Sequence, residues 1–287
     1  VTTDIAALCL KSGNAAILRG GKEAINTNTA LHAVVSGVLA ESGCPGSAVT
    51  FIGRTDRELV PVLLKMKRYI DVVIPRGGES LIRAVSEEST IPVIKHDKGV
   101  CHIFVDESAD EEMANRIAVN AKVQHPGVCN AMETLLVHAK YPRTESLLKS
   151  LLDSNVEIRG CERTVALMPG AVRPADPGDY GFEFLDLVLA VKMVDSLEEA
   201  MEHIARYGSS HSEAIITSDY LNSERFLREV DSSAVFVNAS TRFHDGGEFG
   251  LGAEVGISTE KLHARGAMGV EGLTTLKYVI YGKGEVR

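Results

Sequence analysis

The residue best suited to do chemistry in this sequence is Cys129. It is followed by Asn130 and then by the apolar run 135–137, so the thiol lies in a loop that leads into a predicted strand. A thiolate can attack an activated carbonyl and hold the acyl group as a thioester. A free cysteine is also often a small buried apolar residue, and Cys129 alone fits either role. His125, four residues earlier, leaves a cysteine–histidine hydrolase open as a further interpretation.

Two other loops have the composition of ligand-binding turns, and each follows a predicted strand. Arg19 and Lys22 flank a glycine pair in the first, and Gly77 and Gly78 precede a helix in the second. Glycines allow close approach of the backbone to a ligand, and the first turn of a helix offers free N–H groups to phosphate. The two turns together suit a phosphate-bearing cofactor, whereas each one alone also fits a plain surface turn.

A third loop follows the apolar run 234–237 and carries Asn238, Ser240, Thr241 and Arg242. Arginine binds carboxylates through two parallel hydrogen bonds, and the neighbouring amide and hydroxyl groups add further bonds. The loop therefore suits an amino-acid-like substrate. The alternative is an ordered surface loop in which Arg242 makes a structural salt bridge.

Length and composition limit the class of protein. The chain has 287 residues, of which 45% are hydrophobic and 24% charged, and its formal net charge is -9. The acidic balance argues against nucleic acid as the partner, and no apolar run approaches the ~20 residues of a membrane span. Five scattered cysteines without a CxxC pair argue against zinc or a disulfide framework, so we expect no metal and a reducing, cytoplasmic location.

The elements that position these loops alternate between strand and helix, which predicts parallel strands and an α/β fold. A lone strand is predicted at 276–281, where it would pair with another segment or subunit. Strands are predicted at 15–18, 48–52, 70–74, 91–94, 101–105, 134–138, 185–191, 214–217 and 234–238. Helices are predicted at 29–41, 57–66, 78–86, 110–122, 144–153 and 197–206, with another between the last two of those strands.

Several runs together resemble the γ-glutamyl phosphate reductase family, a branch of the aldehyde dehydrogenase superfamily. The same domain also forms the carboxyl-terminal half of bifunctional pyrroline-5-carboxylate synthases. The matching runs cover almost the whole chain and are 8–14, 74–78, 126–131, 133–136, 231–235, 238–243, 249–254 and 262–266.

The resemblance implies a reaction of proline biosynthesis. Cys129, with Asn130 beside it in the catalytic site, would attack γ-glutamyl phosphate, expel phosphate and form a thioester. NADPH would then deliver hydride to give glutamate γ-semialdehyde, which cyclises. Lys95 stands where oxidising relatives carry a general-base glutamate, and a lysine there favours reduction over hydrolysis of the thioester.

The resemblance also implies binding roles. Arg19 and Lys22 would hold the adenosine ribose of NADP(H), because a cation suits the 2′-phosphate. Gly77 and Gly78 would lie at the cofactor, and Glu183 would bind its nicotinamide ribose. The substrate's amino and carboxylate groups would lie near Asn238, Ser240, Thr241 and Arg242.

We therefore expect an aldehyde-dehydrogenase-like α/β fold in three parts. Residues 1–95 would form an NADP-binding domain that lacks its early strands, 96–268 a catalytic domain, and 269–287 an oligomerisation segment. A homo-oligomer is expected, and association with glutamate 5-kinase is possible for such an enzyme. Because the chain begins at Val1, without methionine, we expect a fragment or processed product. The alternative function is a non-catalytic fragment or oligomerisation unit of such an enzyme.

Overall fold

The computed structural model describes residues 1–95, 98–261 and 264–287. Its first unit contains two parallel strands that pair from Ala16 opposite Val49 to Arg19 opposite Ile52. A single parallel bridge joins Val73 to Val93 nearby. The elements of this unit are α1 (Thr2–Lys11), β1 (Ala16–Arg19), α2 (Ile25–Glu41), β2 (Val49–Ile52), α3 (Leu59–Leu63) and α4 (Glu79–Glu88).

The second unit is built on a parallel sheet. Its elements are β3 (Cys101–Val105), α5 (Glu111–Val123), β4 (Met132–His138), α6 (Thr144–Asp153), β5 (Glu157–Gly160), α7 (Glu162–Leu167), β6 (Arg173–Pro174), β7 (Val188–Val194), α8 (Leu197–Tyr207), β8 (Ser212–Ile216), α9 (Tyr220–Glu229) and β9 (Ala234–Val237). Within the described residues the sheet has seven strands in the order β6-β5-β7-β4-β3-β8-β9. Beyond it, β10 (Ile257–Ser258) pairs antiparallel with β11 (Gly266–Ala267).

Helices cover both faces of this sheet, which explains why its central strands are buried along their whole length and carry apolar runs such as 103–105 and 135–137. Successive side chains of a strand point to opposite faces. Ile103 and Val105 therefore join a core with residues of α5 and α6, while Phe104 joins a second core with residues of α8 and α9. All residues of β3, β4 and β8 are buried.

Gly99, Cys129 and Glu183 lie next to the amino ends of central strands of the sheet. Because the strands are parallel, the segments that precede them lie at one edge of the sheet. Gly99 precedes β3, Cys129 precedes β4 and Glu183 precedes β7. The sequence-based expectation of a thiol in a loop before a strand is confirmed.

The predicted alternation of strands and helices is confirmed, with local differences. Residues 70–74 and 91–94, both predicted as strands, form one isolated bridge between them instead. The predicted helix 57–66 contracts to the five residues of α3. Pro61 lies within α3 and cannot donate a helical hydrogen bond. Residues 276–281 form no strand in the described chain, where they lie exposed. The helices α1 and α7, the strand β5 and the two-residue strands β6, β10 and β11 were not predicted.

No helix in the described ranges is long and apolar enough to cross a membrane.

Candidate active site

A cleft of about 2160 Å³, called here the central cleft, is lined by residues of both units. The first unit contributes Arg19 at the end of β1, the loop that follows it, and the turn 75–78 before α4. The second unit contributes the turn with Cys129, the loop with Glu183 and parts of the segment 242–258. The cleft therefore brings together the glycine turns and the thiol that the sequence singled out separately.

The backbone of Cys129 is held tightly from behind. Its carbonyl oxygen accepts a hydrogen bond from Sγ of Cys101 at 3.2 Å. Gly99 packs directly against it, since a Cβ built on Gly99 would lie 2.0 Å from the Cys129 carbonyl oxygen and 2.6 Å from its Cα. These contacts fix the turn between α5 and β4 and leave the partly buried Cys129 at the wall of the cleft.

The surroundings of Cys129 favour the neutral thiol. Burial raises the pKa of Cys129 to about 11, and the carboxylates of Glu254 and Glu183 act in the same direction. The guanidinium of Arg76 opposes them and lowers the pKa. The thiolate is the nucleophilic form. To react, the thiol must therefore lose its proton to a base, or added positive charge must stabilise the thiolate.

Glu183 is held in place by a chain of contacts that ends in the core. Its Oε1 accepts the N–H of Gly99 at 2.9 Å. Two residues later Leu185, at φ 55°, donates its N–H to Oε1 of Glu133 at 3.1 Å. Glu133 in turn accepts from Nζ of Lys122 at 2.6 Å, and both side chains are fully buried. Burial raises the pKa of Glu133 to about 7, against the effect of Lys122.

Asn130 connects the cysteine turn to the loop with Arg242. Its Nδ2 donates to the carbonyl of His244 at 2.9 Å, and its Oδ1 accepts from Nη1 of Arg242. Its backbone carbonyl accepts from Oγ1 of Thr241 at 2.7 Å. Arg242 also donates through Nε to Oε1 of Gln124 at 3.0 Å. Asn130 is thus buried between the two loops and positions them.

The other two loop residues predicted for substrate binding are engaged elsewhere. Asn238 follows the carboxyl end of β9, where its amide accepts from the N–H of Thr217 and donates to its carbonyl, both at 2.9 Å. Cys129 lies at the opposite, amino edge of the sheet. Ser240 is buried and accepts the N–H of Arg242 at 3.3 Å. Of the predicted loop residues, all of them described, Arg242 is the one that lines the cleft.

The predicted cofactor residues divide in a similar way. Arg19 lines the cleft and donates through Nη2 to the carbonyls of Thr55 and Asp56 at 3.0 and 3.1 Å. Gly77 and Gly78 line it too, with Gly77 packed where a Cβ would lie 2.8 Å from Cδ2 of Leu81.

Lys22, in contrast, is not among the described residues that line the cleft, whereas its neighbour Glu23 is. A helical turn, Lys22–Ala24, begins immediately after the glycine pair.

His125 and Lys95 were also given roles in the sequence-based interpretations. His125 is exposed, and within the described residues no hydrogen bond joins it to Cys129, so a cysteine–histidine pair is not assembled. Lys95 forms an ion pair with Glu260 at 3.9 Å. In the run 262–266, Leu262 and His263 lie outside the described residues.

Three residues of the site were missed by the sequence reasoning. Arg76 and Glu254 line the cleft and influence the pKa of Cys129, and Gly99 supports the cysteine backbone. Arg76 stood within the glycine turn already singled out, and Glu254 ended a run used for the family resemblance. Gly99 carried no separate signal, because its role depends on a chain crossing 30 residues away in sequence.

Fold and cleft-lining cysteine together define an aldehyde-dehydrogenase-like protein. The fold is shared with an acetylating aldehyde dehydrogenase from Geobacillus thermoglucosidasius, with a TM-score of 0.77, 18% identity, and coverage of 100% of this chain and 73% of that one. A γ-glutamyl phosphate reductase from Clostridium kluyveri is 57% identical over 289 residues, which cover 100% of this chain and 69% of that protein. The chain belongs to the γ-glutamyl phosphate reductase family.

A solved structure of that family is closely similar throughout. The γ-glutamyl phosphate reductase of Thermotoga maritima superposes with a TM-score of 0.96 at 48% identity, over 100% of this chain and 69% of that chain. No protein-family model matches the sequence.

Proposed function

We propose that this chain reduces γ-glutamyl phosphate to glutamate γ-semialdehyde and phosphate in proline biosynthesis, with NADPH as reductant and Cys129 as nucleophile. The observation that carries the proposal is Cys129 itself, which lines the cleft at a rigid turn in a chain of this family. The residue roles below belong to the same proposal.

In the proposed reaction the sulfur of Cys129 attacks the γ-carbonyl carbon. The C–S bond forms and the S–H bond breaks, the bond from that carbon to the phosphate oxygen breaks, and phosphate leaves with the electron pair and the thiol proton as hydrogen phosphate. Asn130 keeps the cysteine turn and the Arg242 loop in register through its bonds to both. Arg242 offers its remaining N–H groups at the cleft wall to the α-carboxylate of the substrate.

The residues around the cleft fit a dinucleotide. Gly20, Gly21, Gly77 and Gly78 all line it and leave space for close approach of phosphates. Nε of Arg19 is buried and has no hydrogen-bond partner in the described part of the chain. When bound, NADPH supplies the hydride that converts the thioester to the aldehyde. Glu183 lines the cleft as Cys129 does, and its carboxylate can accept hydrogen bonds from the hydroxyl groups of the nicotinamide ribose.

Preference for NADP(H) over NAD(H) would depend on Arg19 more than on Lys22. Arg19 lines the cleft and can meet a 2′-phosphate, whereas Lys22 does not line it. Glu23, which does, would disfavour the same phosphate by its charge. The proposed preference therefore assigns the ribose end of the cofactor to Arg19.

The organisation of the chain is proposed on the same basis. Residues 1–95 would carry the cofactor side of the cleft, 96–268 the catalytic side, and 269–287 the contact between subunits of a homo-oligomer. The free cysteines are compatible with the reducing cytoplasm. Association with glutamate 5-kinase, which makes the labile acyl phosphate, would shorten the path of that substrate.

The test is the reaction run in reverse, with glutamate γ-semialdehyde, phosphate and NADP and with NADPH formation as the readout. Cys129→Ser should abolish turnover. Cys161 is partly buried and hydrogen-bonded to Thr164, and Cys161→Ser should retain turnover. Wild-type turnover by Cys129→Ser contradicts the nucleophile assignment. A wild-type chain that neither turns over nor binds NADPH by calorimetry would favour the non-catalytic alternative.

A further inference from the structure

The basic side chains at the central cleft differ in what they already bind. Among the described residues, those that line it are Arg19, Arg76, Lys98 and Arg242. Three of the four have protein partners. Arg19 donates to two backbone carbonyls, Lys98 donates through Nζ to the carbonyl of Gly181 at 2.6 Å, and Arg242 is bonded to two side chains.

Arg76 is the exception. It is exposed to the cleft, and within the described ranges no hydrogen bond or ion pair occupies its guanidinium. A guanidinium has five N–H groups arranged to meet the oxygens of a phosphate or carboxylate. Arg76 is therefore the cation of this cleft that is open to an anionic ligand.

The position of Arg76 is defined by the backbone on both sides. It stands between Pro75 and the glycines that precede α4, so the chain is restricted before it and open after it. Across the cleft its Nη1 approaches Gly256, where an added Cβ would lie 2.6 Å away. Gly256 has a φ of 154° and no side chain, which leaves the space that the guanidinium occupies.

The charges around Cys129 show what this cation can do. Glu254 and Glu183 both raise the pKa of the thiol, so the reacting region is negative before any substrate enters. An acyl phosphate adds further negative charge there, and phosphate gains more as it leaves. Arg76 is the cation that offsets these charges at Cys129 and at Glu254. Without it the substrate would meet like charges at the nucleophile.

We propose that Arg76 is a further catalytic residue, which binds the phosphate of the acyl phosphate and receives it as the leaving group. The proposal rests on the proposed function. As the Cys129 sulfur forms its bond to the γ-carbon, the bond from that carbon to the phosphate oxygen breaks. The electron pair goes to that oxygen, and the thiol proton leaves with it on the phosphate. Arg76 keeps its proton throughout and stabilises the departing anion through charge-assisted hydrogen bonds.

The first test uses inorganic phosphate and the 287-residue chain, without turnover. Iodoacetamide alkylation of Cys129 is followed by peptide mass spectrometry with and without phosphate. Phosphate should slow alkylation in the wild type and in Arg83→Gln, a control on the exposed face of α4, where Arg83 pairs with Glu87. Protection should be lost in Arg76→Gln. Absence of protection in the wild type, or equal protection in Arg76→Gln, overturns the proposal.

The second test separates phosphate binding from cofactor binding. In the reverse reaction Arg76→Gln should raise the KM for phosphate at least roughly tenfold, the loss expected for a charge-assisted contact, with the KM for NADP unchanged. Arg76→Lys should recover part of the loss. A change in the KM for NADP alone would assign Arg76 to the cofactor and overturn the proposal. Failure of wild-type turnover counts against the proposed function, while the alkylation test still decides the role of Arg76.

Discussion

Cys129 shows how neighbouring residues can fix both the position of a thiol and its protonation state. Its carbonyl is held by Cys101 and its Cα packs on Gly99, so the thiol has little freedom to move away from the cleft. The raised pKa keeps it as a thiol until charges at the cleft change. In the proposed reaction, rigid placement and late activation would limit side reactions of the thiol before substrate is bound.

Gly99 gives the first prediction. Gly99→Ala would place a Cβ 2.0 Å from the Cys129 carbonyl oxygen, a distance that only movement of the backbone can relieve. We expect a loss of at least ~1–3 kcal/mol in the free energy of unfolding, as for overpacked cores, and displacement of the cysteine turn. Urea unfolding and the alkylation rate of Cys129 measure the two effects.

The matched control is Gly37→Ala. Gly37 lies within α2 and an added Cβ there meets no atom within 4 Å, so alanine should be neutral or stabilising. Equal stability of Gly99→Ala and wild type, with an unchanged alkylation rate, would show that the turn is not held by this contact.

At the scale of elements, α5 and β4 are joined by the buried pair Lys122–Glu133, which also holds the loop of Glu183 through Leu185. Removing one charge of a buried pair leaves the other uncompensated. Glu133→Gln should therefore reduce the free energy of unfolding by ~3–5 kcal/mol, while the retained amide oxygen can still accept from Leu185. Urea denaturation measures the loss.

The double variant Lys122→Met with Glu133→Gln removes both charges and is the control for this prediction. Its stability should exceed that of Glu133→Gln alone, because no isolated charge remains buried. If the double variant were less stable than the single one by the full cost of a second independent substitution, the pair would not be the source of the effect.

The elements themselves were largely predictable, and the exceptions have local causes. Strands such as β3 and β4 are apolar because helices cover both faces, and this pattern can be read without tertiary information. The strand β5 alternates half-buried and buried positions, and its half-buried residues Glu157 and Arg159 pair with each other at 3.0 Å. Because two of its four residues are charged, the strand lacks the apolar run by which the other strands were predicted. Residues 70–74 are apolar enough for a strand, but pairing there is limited to one bridge.

The site was predicted less completely, because its parts come from distant segments. Cys129 and the glycine turns could be recognised from residue type and position. That Asn238 faces the opposite edge of the sheet, or that Arg76 remains unpaired among the described residues, depends on how the chain returns after β9 and how the two units meet. These positions depend on packing between segments distant in sequence, and no local sequence pattern predicts them.

At the scale of the whole molecule, the free energy of unfolding should depend on pH through the buried His203. His203 is buried between Tyr180, Tyr207 and His102, and neither ring nitrogen has a hydrogen-bond partner in the described residues. Burial lowers the pKa of His203 to about 3, and His102 and Lys192 act in the same direction. Above the unfolded pKa of ~6.5 its contribution to stability is complete. As pH falls from there towards 3, the unfolded chain gains the proton first and stability is lost.

His203→Phe should flatten this dependence. Phenylalanine keeps the ring contacts and cannot bind a proton, so the slope should fall by at most ~1.4 kcal/mol per pH unit between pH 6 and 4. Urea unfolding at a series of pH values measures it, with His125→Gln, an exposed histidine, as the control. An identical slope in His203→Phe and wild type would show that His203 is protonated in the folded state.

The carboxyl-terminal segment gives the last prediction, which concerns assembly. Leu276, Tyr278 and Ile280 are 93%, 89% and 87% exposed, and they recur at every second position, the spacing of one face of a strand. An exposed apolar segment with this spacing can become a strand by pairing with another chain. Leu276→Glu with Ile280→Glu should therefore shift a wild-type oligomer towards monomer in sedimentation velocity. Val286→Glu, equally exposed but outside residues 276–281, should leave the mass unchanged, and an unaltered oligomer in the double variant would place the subunit contact elsewhere.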